Sequence, residues 1–269
     1  MNEKKYISSL KNPVVRQIVQ LQEKSRQRKN LGLFVLEGHR ELAMAIKAKY
    51  EIQTLLYAPG IISEASILNI LKESVNDPEL IQVSNPVYQK IAYRDSTEGV
   101  VAIAKQKSHL LDDLHLDNDN ALILVAEAPE KPGNIGTLFR TADAAKLDAV
   151  LIANPKGDLY NPNIIRSSIG CVFTNKIAVA STSEILKFLK DKNIAIYCAA
   201  LSASEVYTRI NFAKKAAIVV GTESTGLTDA WLEASTKNII IPMEGEIDSM
   251  NVSVSAAILI FEVKRQRSI

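Results

Sequence analysis

The stretch KPGNIGTLFRTADAA, residues 131–145, decides the fold of the second half of this chain. It follows an apolar run and joins a glycine loop to a helical pattern, but it lacks both the third glycine of a dinucleotide fingerprint and the Gly-Lys-Ser/Thr of a P-loop. Asn134 stands where we expect the helix to begin, and Arg140 follows six residues later. Read alone, Asn134 could simply cap the helix, and Arg140 could be an ordinary surface arginine.

Apolar runs rich in β-branched residues recur on both sides of this stretch and alternate with helical patterns. Such runs predict an α/β domain whose parallel sheet is covered on both faces. Ligands of such sheets bind beyond the carboxyl ends of the strands, so the segments after the runs are the candidate site. The five runs are ALILVAE (121–127), AVLIA (149–153), IAIYCAAL (194–201), AAIVVGT (216–222) and NIIIP (238–242).

The first half also alternates helical and strand patterns, which predicts a separate α/β domain over residues 1–108. The polar and acidic segment at 109–120 is expected to be a linker, and residues 121–269 the second domain.

Composition narrows the function classes. The 269 residues are 47% hydrophobic and 23% charged, as in globular proteins, and contain no run of about 20 apolar residues. We therefore expect a cytoplasmic protein without a membrane partner. The two cysteines, Cys171 and Cys198, are expected to be buried free thiols, and no metal site is expected. The three histidines all lie within the first 115 residues, which argues against Ser-His-Asp hydrolysis in the second half.

Charge is unevenly distributed along the chain. The first 50 residues contain 11 Lys and Arg against 4 Asp and Glu, including the cluster KSRQRK at 24–29, although the net charge of the whole chain is only +2. A basic arm on a nearly neutral body is typical of a protein with a polyanionic partner, and a solvated helix face is the alternative.

Two further segments follow predicted strands. In IVVGTESTGLTDAW, residues 218–231, Gly221 ends a strand and Glu223 lies in the loop. In IIIPMEGEIDSMNVSVSAAILIFEVKR, residues 239–265, Ser249 or Asn251 can cap a long final helix. Each segment alone indicates only a strand, a turn and a tightly packed helix.

Together the three segments resemble the three motifs of the SpoU-type RNA 2′-O-ribose methyltransferases of the SPOUT superfamily. The first matches at Asn134, Gly136 and Arg140 to Ala142, and the second at Gly221, Glu223, Gly226 and Leu227. The third matches from Ile241 through Ser249 and Asn251 to Ile258. RSSIGCVF, residues 166–173, is similar to the family's basic segment between motifs, and the N-terminal sequence is similar to its substrate-binding domain.

This resemblance implies a SPOUT domain with a parallel sheet and a deep C-terminal trefoil knot, preceded by an α/β domain of the L7Ae/L30e type. It implies methyl transfer from S-adenosylmethionine to a ribose 2′-hydroxyl in structured RNA, with ribosomal RNA preferred over transfer RNA. The knot would form the cofactor pocket, and the residues expected there are Leu201, Gly221, Ile241, Met243 and Met250.

The resemblance also assigns the reaction to Arg140, supported by Asn134, Glu223, Ser249 and Asn251. The family's arginine is assigned the removal of the hydroxyl proton, but guanidinium groups normally stay charged in proteins, so the role of Arg140 is open between base and electrostatic orienting group. The family acts as homodimers with shared sites, so Arg166 could serve the partner's site. A non-catalytic RNA-binding protein and a nucleotide-binding oxidoreductase are the alternatives from other classes. The expected RNA contacts are Lys24, Arg26, Arg28, Lys29, Arg40 and Arg166.

Overall fold

The computed structural model of the protein describes residues 5–93, 98–116, 118–201 and 204–268. The other residues, which include Asp117 of the expected linker, lie outside this description. The strands are β1 Lys5–Ile7, β2 Leu33–Glu37, β3 Ile52–Tyr57, β4 Glu79–Val83, β5 Val100–Lys105, β6 Leu122–Glu127, β7 Ala149–Ala153, β8 Ile177–Ala180, β9 Ala195–Ala199, β10 Glu205–Val206, β11 Ala216–Val220 and β12 Lys237–Ile240. The α-helices are α1 Pro13–Glu23, α2 Ser25–Leu31, α3 His39–Lys47, α4 Glu64–Leu71, α5 Asn85–Ile91, α6 Pro132–Ala144, α7 Pro162–Ser167, α8 Cys171–Thr174, α9 Thr182–Asp191, α10 Asp229–Ala234 and α11 Val252–Arg267.

The chain forms two compact units. The first comprises Met1–Lys107 together with Asp158–Thr174, and the second comprises Ser108–Gly157 and Asn175–Ile269. This division differs from the expected one in two respects. Residues 158–174, which hold α7 and α8, pack with the first unit. The segment expected to be a linker belongs to the second unit, where the carbonyl of His109 accepts the N–H of Val179 at 2.8 Å.

The first unit contains a mixed sheet of order β1-β4-β3-β5-β2. Strands β1, β4 and β3 are parallel, whereas β5 runs antiparallel to both β3 and β2. Helix α1 begins at Pro13, with Asn12 as its N-cap, and buries Val15, Ile18 and Leu21 in the core of this unit. The α/β character expected of residues 1–108 is observed.

The second unit contains a parallel sheet of order β10-β12-β9-β11-β6-β7-β8. All five predicted apolar runs form strands of this sheet, and the central strands β6, β7 and β11 are buried along their whole length. That burial explains why their sequences are continuous apolar runs rather than alternating ones. The additional strands β8 and β10 have four and two residues and were not predicted.

The order of the strands brings four loops together. Strand β6 lies between β7 and β11, and β9 and β12 follow β11 in the sheet. Because all these strands are parallel, the loops after β6, β11, β9 and β12 leave the same edge. Helix α11 packs against α6 and β11 next to these loops. Both cysteines are free and buried, as predicted.

Candidate active site

Asn134 is not the cap of helix α6. The helix begins two residues earlier, at Pro132, so Asn134 lies in its first turn. Its amide nitrogen donates a hydrogen bond to Oε1 of Glu223, and its amide oxygen accepts one from Nδ2 of Asn251 at 3.0 Å. The capping alternative is therefore wrong. The side chain instead joins the loop after β11 to the start of α11.

The loop after β11 fixes the position of Glu223. Thr222 and Gly226 exchange backbone hydrogen bonds of 3.0 and 3.2 Å, and Gly226 has a φ of 69°. A Cβ on Gly221 would lie 2.2 Å from the carbonyl carbon of Gly226, so the turn closes only because residue 221 has no side chain. Glu223 therefore sits on a tight, internally hydrogen-bonded turn.

The buried carboxylate of Glu127 holds the end of this turn in place. Glu127, at the end of β6, is only 3% exposed. It accepts hydrogen bonds from the N–H and Oγ1 of Thr228, both at 2.9 Å, and from Oγ1 of Thr182 at 3.0 Å. These donors lie beyond the Glu223 turn and at the start of α9. Glu127 is not among the residues predicted from the sequence, although an acidic residue at the end of an apolar strand indicates a carboxylate with buried partners.

Asn251 is the N-cap of α11. It is one of the two residues that the sequence offered as the cap of the final helix. Its Oδ1 accepts hydrogen bonds from the backbone N–H of Ser253 at 2.9 Å and from the Ser253 hydroxyl at 2.6 Å. Because the side-chain oxygen of Asn251 accepts these two hydrogen bonds, its amide nitrogen is the atom that donates to Asn134. The other candidate, Ser249, is exposed in the preceding loop.

Lys131 completes a polar network of four side chains, which we call the Asn134 network. Its ammonium group pairs with Oε2 of Glu223, so both oxygens of that carboxylate have partners. The order of contacts is Lys131, Glu223, Asn134 and Asn251. Nothing in the sequence distinguished Lys131 from other exposed lysines, because its partner lies 92 residues away.

A large cavity lies on one side of the Glu223 turn. Its volume is about 720 Å³, within the range of small-molecule sites. Its lining comes from residues 199–201, 220–227, 239–241 and 248–252, together with Leu232, Met243, Ser255 and Leu259. All five residues expected to bind the cofactor line this cavity, namely Leu201, Gly221, Ile241, Met243 and Met250. Glu223, Ser249 and Asn251 line it as well.

A smaller cavity of about 340 Å³ adjoins the first at this turn. Its lining includes Lys131, Asn134 and Glu223, and the two cavities share residues 221–224 and Val252. Glu130, which also lines this cavity, pairs with Lys156 at 2.7 Å, and this hydrogen bond lowers the pKa of the Glu130 carboxyl. The Asn134 network therefore stands at the wall between two cavities.

Arg140 lies apart from this network. It is exposed on α6, lines neither cavity, and forms no hydrogen bond or ion pair with any residue that the structure describes. Its guanidinium is therefore available to a second molecule. Of the five residues expected to perform the reaction, the structure joins Asn134, Glu223 and Asn251 by hydrogen bonds and brings Ser249 to the same cavity.

One of the expected RNA contacts requires correction. Arg28 is 2% exposed, and its guanidinium donates to the carboxylate of Asp158, with Nη2 to Oδ2 at 2.6 Å, and to the carbonyls of Leu21 and Gln22. A guanidinium enclosed in this way cannot contact a phosphate without breaking its own ion pair, so the expectation for Arg28 is wrong. The remaining five are exposed: Lys24, Arg26, Lys29, Arg40 and Arg166.

The chain is similar to a known family of proteins over most of its second half. The model of the SpoU rRNA methylase family matches residues 121–261, just over half of the chain. The chain belongs to the SpoU rRNA methylase family. The family, enzyme class and methyl donor inferred from the three motifs are thus confirmed. A second model, the MRM3-like substrate binding domain, matches residues 12–102.

Individual relatives of this SpoU protein match along nearly the whole chain. The 23S rRNA (guanosine(2553)-2'-O)-methyltransferase RlmP of Bacillus subtilis is 27% identical, with 97% of this chain and 99% of RlmP covered. A crystal structure of an RNA 2′-O ribose methyltransferase is 38% identical, covers 98% of this chain and 100% of that one, and has a TM-score of 0.84. The AdoMet-bound rRNA methyltransferase from Sinorhizobium meliloti is 26% identical, with 97% of both chains covered and a TM-score of 0.88.

Two further observations concern other classes of site in this SpoU protein. Among the described residues, no group of three or more His, Cys, Asp or Glu side chains could hold a metal ion. No helix in the described part of the chain combines the length and apolar character needed to cross a bilayer.

Proposed function

We propose that this protein methylates a ribose 2′-hydroxyl in ribosomal RNA, with S-adenosylmethionine as the methyl donor. The observation that supports this most directly is the Asn134 network between two cavities that share the Glu223 turn. Both cavities have mixed linings, and the smaller one brings Lys131, Asn134 and Glu223 together. The relatives named for 23S rRNA or rRNA support the substrate class.

The larger cavity fits the cofactor by its lining. Leu201, Ile241 and Met250 offer apolar surface to an adenine ring, and Gly221 lets the turn at Gly226 close and so shapes the cavity wall. When bound, S-adenosylmethionine supplies an electrophilic methyl group on a sulfonium centre. The protein itself need only orient the acceptor hydroxyl and accept or direct its proton.

The smaller cavity is the site that we assign to the target ribose. The side chains of Asn134 and Glu223 lie at its wall and bring a hydrogen-bond donor and a carboxylate to the same point. Lys131 adds a positive charge for the phosphate beside that ribose. Ser249 and Asn251, on the side of the larger cavity, complete the group that orients the acceptor hydroxyl.

We further propose a homodimer formed through the second unit. Val254 and Phe261 are both 48% exposed and lie seven residues apart on α11, so one helix face presents them together. Arg140 is exposed on α6, which packs against α11. A partner subunit on this face would bring Arg140 and RNA together at a shared site, where it acts as base or as electrostatic orienting group.

The trefoil knot and the L7Ae/L30e-type fold of the first unit are part of this proposal. The approach of residues 248–252 to residues 220–227 around one cavity, with α11 against α6 and β11, supports the knot. The mixed sheet and the match to an MRM3-like substrate binding domain support the second assignment. The assignment of residues 1–108 to RNA binding and 121–269 to catalysis stays a prediction.

The experiment is methyl transfer from labelled S-adenosylmethionine to purified ribosomal RNA and to transfer RNA. A 2′-O-methyl group blocks alkaline cleavage of the following phosphodiester, so labelled alkali-resistant dinucleotides identify the product and its position. We expect label in ribosomal RNA. Label in transfer RNA alone would favour the transfer RNA alternative, and cofactor-independent RNA binding without any label would favour the non-catalytic one.

A further inference from the structure

The segment Asp158–Thr174 is held in the first unit by buried contacts. The carboxylate of Asp158 accepts hydrogen bonds from Nε and Nη2 of Arg28, both to Oδ2, at 3.0 and 2.6 Å. The ring of Tyr160 stacks on Phe34 at 4.5 Å, and the ring of Phe173 meets that of Tyr50 at 5.0 Å. These contacts fix the helix α7 between them.

This anchoring brings Arg166 of α7 over Tyr93. The guanidinium carbon of Arg166 lies 5.5 Å from the centre of the Tyr93 ring. Tyr93 is fixed at both ends, because its N–H donates to Oε2 of Glu37 at 2.7 Å and its hydroxyl accepts from Nδ2 of Asn163 at 3.1 Å. The residue nevertheless remains 45% exposed. We call Tyr93 and Arg166 the Tyr93 platform.

Arg166 gives the platform an exposed guanidinium, which forms no ion pair with another described residue. The carboxylates of Glu37 and Glu98 accept the backbone N–H groups of Tyr93 and His39. A rigid aromatic ring beside an unpaired guanidinium is the arrangement on which unpaired bases stack in single-stranded RNA recognition.

We propose that the Tyr93 platform binds an unpaired RNA base. The base stacks on the exposed part of the Tyr93 ring, and Arg166 donates to the adjoining phosphate. This rests on the proposed function for the identity of the partner as RNA. It gives Arg166 a role within its own subunit, in place of the expected contribution to the partner's site.

The test uses Tyr93→Trp as a fluorescent reporter, since the single native tryptophan, Trp231, is fully buried. Tyr6→Trp, at a tyrosine that is 60% exposed on β1, is the matched control. We expect single-stranded ribosomal RNA fragments to quench Tyr93→Trp but not Tyr6→Trp, and polyphosphate, which has no bases, to quench neither. Equal quenching of both variants, quenching by polyphosphate, or no quenching at all would overturn the proposal.

Affinity measurements complete the test. Stacking on an aromatic side chain contributes enough that Tyr93→Ala should weaken RNA binding by about tenfold or more, whereas Tyr6→Ala should not. Arg166→Ala should weaken binding and make it less dependent on salt. Cofactor affinity, measured by calorimetry, should be unchanged in all of these variants.

The two proposals fail differently. A protein that binds no S-adenosylmethionine and methylates no RNA would refute the proposed function. A protein that methylates ribosomal RNA, but whose Tyr93→Ala variant has the wild-type RNA affinity and KM, would refute the Tyr93 platform alone.

Discussion

The side-chain amide of Asn134 donates to the carboxylate of Glu223, 89 residues further along the chain. This contact joins the first turn of α6 to the turn after β11. Because Asn251 occupies the amide oxygen of Asn134, the amide has one orientation, with its nitrogen toward Glu223. The loops of two neighbouring parallel strands are thereby locked together at the wall between the cavities.

Asn134→Asp should lower kcat by about a hundredfold or more at neutral pH, as expected when one preorganised polar group is lost. The new carboxylate would face that of Glu223 and could not donate to it. Two adjacent carboxylates raise the pKa of one of them, so the variant should recover activity relative to wild type as the pH falls. The check is a pH–rate profile of both proteins; a constant ratio across pH would contradict this reasoning. Cofactor binding should persist in the variant.

Lys131→Ala should lower kcat about fivefold because Glu223 loses one of its two partners. The pair is exposed, so the free energy of unfolding should change by less than about 1 kcal/mol. Lys156→Ala is the matched control, since it removes a lysine from an exposed pair with Glu130 beside the same cavity. That control should leave kcat unchanged and raise the pKa of Glu130 toward its ordinary value. Equal effects of the two substitutions would argue against a positioning role for Lys131.

Gly221→Ala should weaken cofactor binding strongly, by about a hundredfold, because the added methyl group would meet the backbone of Gly226 and displace the wall of the larger cavity. Gly245→Ala is the control within the neighbouring loop, where an added Cβ meets no atom within 4 Å. Calorimetric titration with S-adenosylmethionine compares the two. Wild-type affinity in Gly221→Ala would mean that the turn has room that the structure does not show.

Glu127→Ala should lower the free energy of unfolding by about 2–3 kcal/mol, because it leaves Thr182 and both donors of Thr228 without their buried acceptor. It should also weaken cofactor binding by loosening the Glu223 turn. Glu130→Ala, at an exposed carboxylate three residues later, should change stability by less than about 0.5 kcal/mol. Urea unfolding of the three proteins is the measurement, and equal midpoints would show that Glu127 is dispensable.

The basic cluster at 24–29 contains a residue that stabilises the fold, Arg28, and a residue expected to contact RNA, Lys29. Substituting each by alanine distinguishes the two roles. Breaking the Arg28–Asp158 pair should cost about 2–4 kcal/mol, somewhat below the range for fully buried pairs because the Asp158 side chain is 27% exposed. Lys29→Ala should leave stability unchanged and reduce the salt dependence of RNA binding. Unfolding and filter-binding experiments on both variants test this. A stable Arg28→Ala protein with weakened RNA binding would restore the original expectation for Arg28.

The sequence predicted the main strands of the second unit and the loops that bear the site. Strands such as β6 and β11 are buried on both faces, so their composition alone identifies them. A parallel arrangement then directs the following loops to one edge, and Asn251 identified the start of α11. Short strands such as β8 and β10 were missed because two to four residues give no periodic signal.

Local sequence patterns determined the elements that form from neighbouring residues, which are buried strands, helix caps and turns at glycine. The tertiary structure alone decided which distant polar groups pair. Arg28 looks like the other cations of its cluster, and only Asp158, 130 residues away, makes it a buried structural residue. Asn134 likewise looks like a helix cap until Glu223 and Asn251 are beside it. A hydrogen bond or an ion pair depends on which groups meet in space, and the spacing of residues along the chain does not record that.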